Sequence, residues 1–132
     1  MEPATFDARR HQLIAEDLVE LIKRRYPKLA QDPNATVIGL TEKDMYIREK
    51  TWQFAFSYRV DGRFAVVSSA RMNPANFGEP ANAELLHSRV RKMIMKNIGL
   101  LYYQLAQSDN PKSVLYSNIL GLEELDNVSE DF

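Results

Sequence analysis

Between Asn82 and Leu105 the chain reads NAELLHSRVRKMIMKNIGLLYYQL, with Leu86, Val90, Met93, Ile94, Asn97, Ile98, Leu101 and Leu105 at spacings of three and four. That period lays one mostly apolar stripe along a helix long enough to cross a small domain. A helix of this kind needs a layer to bury its stripe against, so the rest of the chain is read for what can supply it. With 132 residues, 45% of them hydrophobic, the chain is expected to form a single domain over 1–132 with its own core. There is no cysteine, which excludes a disulfide framework and a thiolate metal site. His11 and His87 fall on different predicted helices, a poor inventory for zinc, which takes three or four protein ligands.

The other elements follow from shorter patterns. Ile14, Leu18, Leu21, Ile22 and Tyr26 keep helical spacing, so a first helix is expected, capped by Thr5 or Asp7 and stopped by Pro27. Gln31–Asn34 is a turn, and Ala35–Leu40 reads as a strand buried on both faces, followed by a tight turn at Thr41–Asp44. Trp52, Phe54, Phe56 and Tyr58 alternate with smaller or polar residues, the period of a strand. Asp61-Gly62 then separates that run from Phe64–Ala70, and Asp-Gly is a strong hairpin signal. Asn82 is placed to cap the long helix. Ser108–Pro111 breaks the chain after it, and a short helix is expected near Leu122–Val128.

Charge excludes little. The net charge of −1 gives no general attraction to nucleic acid or to an anionic membrane, and neither is expected as a partner. Arg89, Lys92 and Lys96, with Arg91 beside them, form a basic stripe, read here as a solvated face paired with Glu123, Glu124 or Asp126. Met1–Arg10 has no apolar run of the kind a leader needs, which favours the cytoplasm while leaving export open.

Several stretches carry a resemblance. Val37–Tyr46 (VIGLTEKDMY) is similar to a strand ending in Gly-x-Thr-x-x-Asp-[Leu/Met]-Tyr, and Ala65–Met72 (AVVSSARM) to a hairpin strand closed by Arg-[Leu/Met]. Aligned on Gly99, Lys96–Leu100 resembles a His-Glu-x-Gly-His centre stripped of its chemistry. Together these resemble the archaemetzincin branch of the metzincin zinc peptidases. The resemblance implies an α/β fold, a minimal metzincin-like (zincin-like) domain. In it a small mixed twisted sheet with an antiparallel edge hairpin packs on two main helices and a short C-terminal helix. A strand usually precedes the first helix in that family, and here it is expected to be missing or to lie outside this sequence.

The resemblance also implies loss. Lys96, Leu100 and Ala106 stand at the former zinc-ligand positions, Asn97 at the general base, Tyr103 at the helix-breaking glycine and Leu115 at the Met-turn. An ammonium repels a divalent ion, hydrocarbons offer no lone pair, and an amide takes no proton from water. The expectation is therefore a catalytically inactive protein, not an enzyme, without metal or other cofactor, that binds a peptide or protein at the sheet edge and cleft. An enzyme of another class using Lys96 and Asn97 is the alternative. The long helix is expected to pass Tyr103 and run to about Leu105, because tyrosine does not favour positive φ. In the repacked site Leu100 should join Leu101 and Leu115, Asn97 should bond to backbone near Ser113–Ser117, and Lys96 should meet a carboxylate of the terminal helix or water.

Overall fold

A computed structural model of the protein describes residues 5–132, and the chain divides into two compact units, Met1–Arg71 and Met72–Phe132. Each is α-helix or strand built on short, locally determined elements, and the class is mixed α/β.

In the first unit β1 (Phe6–Asp7) turns back into β2 (Gln12–Ile14), which leads directly into α1 (Ala15–Arg25). Asp7 does not cap a helix. Its Oδ1 accepts from the amides of Arg9 and Arg10 at 3.0 and 3.3 Å and so closes the strand turn, with His11 exposed at φ 53°. A strand thus does precede the first helix: β2 lies parallel to β4 (Met45–Tyr46), Leu13 opposite Met45 and Ile14 opposite Tyr46. Pro27 opens a second short helix, α2 (Pro27–Gln31), at the position where a missing N–H costs nothing.

A second three-stranded sheet has the order β3–β6–β5. β3 (Val37–Thr41) is parallel to β6 (Phe64–Ser68), and β5 (Ser57–Val60) is antiparallel to β6. The Asp61-Gly62 turn forms as expected, with φ of 58° and 68° at its two residues. Val60 pairs with Phe64, so Arg63 stands outside the ladder. Its carbonyl accepts from the Val37 amide at 2.8 Å, and its guanidinium donates to Ala30 O at 2.7 Å and Asp32 O at 2.6 Å. These are carbonyls a helix end leaves without partners.

Two strand expectations are corrected. β3 is not buried on both faces: it ends its sheet, its residues are half-buried and Leu40 is 57% exposed. The aromatic alternation becomes strand only from Ser57. Upstream, the Ala55 amide donates to Met45 O, Phe54 and Phe56 meet edge to face at 5.2 Å, and Trp52 is exposed. Side chains two apart can meet each other instead of a neighbouring strand. The core of this unit is apolar, with Leu13, Val19, Met45, Phe64 and Val66 among its buried members.

In the second unit a 3-10 turn (Pro74–Phe77) precedes α3 (Ala83–Asn97). Asn82 caps α3, its Oδ1 accepting from the Leu85 amide at 3.1 Å, and Glu84 suits the positive helix start. At Ile98 the helix widens into a π turn (Ile98–Tyr102), where the Tyr103 amide donates to Ile98 O five residues back. Tyr103 keeps right-handed dihedrals (φ −85°, ψ −9°), as expected of tyrosine, but the helix falls short of Leu105 because the chain turns at Gln104, φ 55°. A loop follows in which Ser108 and Tyr116 form a single parallel bridge, and α4 (Leu122–Asn127) comes last. No helix among the described residues is long and apolar enough to cross a membrane.

Candidate functional site

α3 carries the residues that the sequence singled out, and its spacing decides which of them share a face. Arg89, Lys92 and Lys96 lie at i, i+3 and i+7, so they form a column. The column is not a solvated face. Arg89 is 7% exposed, Lys92 8% and Lys96 4%. Each cation is buried because backbone carbonyls meet it. Arg89 donates to Met72 O at 2.7 Å and, through Nε and Nη2, to both oxygens of Asp126 at 2.8 Å. The Asp126 carboxylate raises the guanidinium pKa further above its already high value. Lys92 Nζ donates to Leu125 O and Asp126 O at 3.2 Å, in the last turn of α4, where unpartnered carbonyls and the helix dipole favour a cation. Of the three acids expected to pair with the stripe, it is Asp126 that does so.

Lys96 and Asn97 both depart from the partners expected of them. Lys96 Nζ donates to Tyr116 O at 2.6 Å, so the lysine takes the loop carbonyl that the asparagine was expected to reach. Asn97, fully enclosed, donates from Nδ2 to Met93 O one turn back on its own helix at 3.1 Å. The longer side chain reaches the distant carbonyl, and the shorter one donates to a carbonyl one turn back. Leu100 is half-buried, Ala106 is exposed and Leu115 is half-buried. It is Gly99 that approaches Leu115: a Cβ at position 99 would stand 2.9 Å from Leu115 Cδ2 and 2.6 Å from Phe132 Cε1. No pattern marks Phe132 for this contact, although a glycine inside a helical pattern is a signal that something approaches closely.

Two features of the first unit bear on binding. The stretches Val37–Tyr46 and Ala65–Met72 carry residues that meet: Arg71 donates to Asp44 Oδ2 from Nε at 3.1 Å and from Nη2 at 2.8 Å, and Gln12 Nε2 donates to the same oxygen. Beside β3 runs an apolar groove of 240 Å³, lined by Leu13, Leu18, Leu21, Ile22, Gly39, Leu40, Thr41 and Val66. The groove thus lies at the β3 end of the sheet, whereas the hairpin strand β5 forms the other end.

Among the described residues no three histidine, aspartate or glutamate side chains gather as a metal-binding group. The donor chemistry on α3 does not fit zinc either. Lys96 and Asn97 donate hydrogen bonds there, and positions 100 and 106 are hydrocarbon.

No protein-family model matches the chain. Curated relatives do. The chain is 31% identical over 113 residues to an archaemetzincin of Pyrococcus horikoshii, a match covering 84% of this chain and 56% of the relative. Against the archaemetzincin of Pyrococcus furiosus it is 31% identical over 114 residues, covering 84% and 55%. The match to the archaemetzincin of Thermococcus kodakarensis is shorter, 35% over 80 residues, covering 60% and 41%. The chain therefore spans about half the length of the curated relatives it matches. In structure, the whole chain matches 66% of the archaemetzincin of Methanopyrus kandleri with a TM-score of 0.73 at 26% identity. It also shares the fold of a zinc-dependent peptidase of Methanocorpusculum labreanum, with a TM-score of 0.78 at 23% identity over 76% of that chain. These matches overturn the expectation of a non-enzyme: the relatives at 31% identity are archaemetzincins, so the kinship points to an enzyme family.

Proposed function

The chain is an archaemetzincin-like protein in sequence and in fold, and from that premise we propose that it recognises an extended peptide or protein segment at the end of its three-stranded sheet. A peptidase must hold a peptide in an extended form, and the first unit offers a surface suited to that hold. The observation that carries the reading is the groove beside β3. An extended segment added to an end strand gains backbone hydrogen bonds, and alternate side chains need apolar pockets on one face. The groove is apolar along nearly its whole lining, Leu40 stands 57% exposed beside it, and the bare Gly39 lets Ile22 of α1 close its inner wall, 2.7 Å from where a Cβ would stand. No step is routed through zinc, because Lys96, Asn97, Leu100 and Ala106 do not fit it.

The test is fluorescence anisotropy with a labelled seven-residue peptide of alternating valine and threonine. Saturable binding is expected, weakened at least ~ten-fold by Leu40→Lys, which places a charge at the groove. Absence of saturable binding, or equal binding by the variant, would refute the reading. Metal analysis of the same dialysed protein is expected to find well under one zinc per chain.

A further inference from the structure

The π turn after α3 is covered by the chain's own last described residues. Ser129 N donates to Lys112 O at 2.8 Å, Ser129 Oγ donates to Asp131 O at 2.8 Å, and Arg91 Nη2 meets Asp131 Oδ1 at 2.8 Å. Phe132 then places its ring over Gly99. The ring and Leu115 converge on the space a Cβ at position 99 would fill, at 2.6 and 2.9 Å from it. Tyr103 meets the Phe132 ring edge to face at 5.8 Å, and Tyr102 meets Tyr103 likewise at 4.9 Å. A ring so placed excludes water from a helix turn whose hydrogen-bonding is already irregular.

These contacts hold one loop at two points. Lys112 and Leu115 both belong to the loop that carries Tyr116, and the Tyr116 carbonyl accepts from Lys96 Nζ. We propose that residues 129–132 form a releasable strap, seated by Phe132 on Gly99, that fixes the Ser108–Ser117 loop and thereby keeps Lys96 covered. The hold is weak by construction. Phe132 is 55% exposed, and the Arg91–Asp131 pair is 54% and 65% exposed, so the pair contributes little and the ring contributes most. Opening the strap gives Lys96 access to solvent without unfolding α3. The inference does not depend on whether the β3 groove takes a peptide.

The experiment compares wild type with Phe132→Ala, using backbone hydrogen exchange and acetylation by acetic anhydride mapped to each lysine by mass spectrometry. Phe132→Ala is expected to speed exchange of the Ser108–Ser117 amides and acetylation of Lys96 by at least ~ten-fold, with Lys23 in the other unit unchanged as an internal standard. Phe132→Tyr, which keeps the ring, should restore wild-type rates. Gly99→Ala should reproduce the opening by evicting the ring, and if that variant fails to fold the Phe132 series decides alone. Loop exchange and Lys96 acetylation in Phe132→Ala within two-fold of wild type would overturn the proposal.

Discussion

The two units bury different materials. The first closes mainly on hydrocarbon, with Leu13, Met45, Phe64 and Val66 enclosed; Gln12 and Ser68 are buried beside them, but no lysine, arginine, aspartate or glutamate among its described residues is buried as a whole. The second encloses Met93, Leu101, Val114 and Leu125, but Arg89, Lys92, Lys96 and Asn97 are buried with them. A hydrocarbon core tolerates imprecision, since its attraction is non-directional and scales with area. A buried cation tolerates none, because each N–H must find an acceptor or the charge is stranded. The second unit meets that demand with backbone carbonyls at chain ends and turns: Met72 O, Leu125 O, Asp126 O and Tyr116 O. The order in one unit is therefore held by volume, and in the other by a small set of directed bonds.

The contrast can be broken by mutation. Phe64, 2% exposed, should show the largest effect: Phe64→Ala should cost about 3–5 kcal/mol in denaturant unfolding, through lost burial and the cavity left behind. A loss under about 1 kcal/mol would mean that the first unit is not held by volume. Arg89→Ala should cost about 2–3 kcal/mol, discounted because Asp126 is 38% exposed and can turn to water while Met72 O cannot. Arg89→Met restores the stem without the bonds, so equal losses in the two variants would confirm that direction, not packing, is what the arginine supplies.

Asn97→Ala should cost about 1–3 kcal/mol through an enclosed hydrogen bond lost, and unfolding indistinguishable from wild type would remove Asn97 from the set of directed bonds. The smallest effect belongs to the rim of the first unit. The Tyr46 hydroxyl, donating to Asp7 at 2.8 Å, holds that carboxyl below its ordinary value, and Asp7 in turn raises the Tyr46 hydroxyl. A depressed carboxyl stabilises above its ordinary value and loses that contribution as pH falls through the folded one. A raised tyrosine contributes below its ordinary value and loses it as pH rises through the folded one. The stability difference between wild type and Tyr46→Phe should therefore be flat from about pH 5 to pH 9 and shrink at both extremes. A difference independent of pH over the full range would remove this pair from the proton linkage.

What was legible in the sequence was whatever depends on a few adjacent residues. Asp61-Gly62, the Asn82 cap and the short last helix each rest on local chemistry, and each stands where expected. The family resemblance rested on longer strings such as VIGLTEKDMY, and the matches to archaemetzincins bear it out. What was not legible depends on partners far along the chain. β2 is three residues, too few to show a period, and Ile14 fits the helical spacing that follows. The π turn is invisible because its apolar residues satisfy either helix. The basic column reads as solvent-facing until Met72 O and the α4 carbonyls are in place to receive it.

The end strand beside the groove has one more consequence, for the protein as a colloid. From Ala35 to Thr41 the chain carries no charge and no proline, and β3 ends its sheet with no bulge described in its pairing. Natural proteins usually guard such a strand with a lysine, a proline or a twist, because its bare backbone templates the same strand of another molecule. Here the guard is absent and the neighbouring surface is greasy. On the proposed reading, an occupant of the groove would also be a solubiliser, because it would take the backbone positions through which a second molecule could pair.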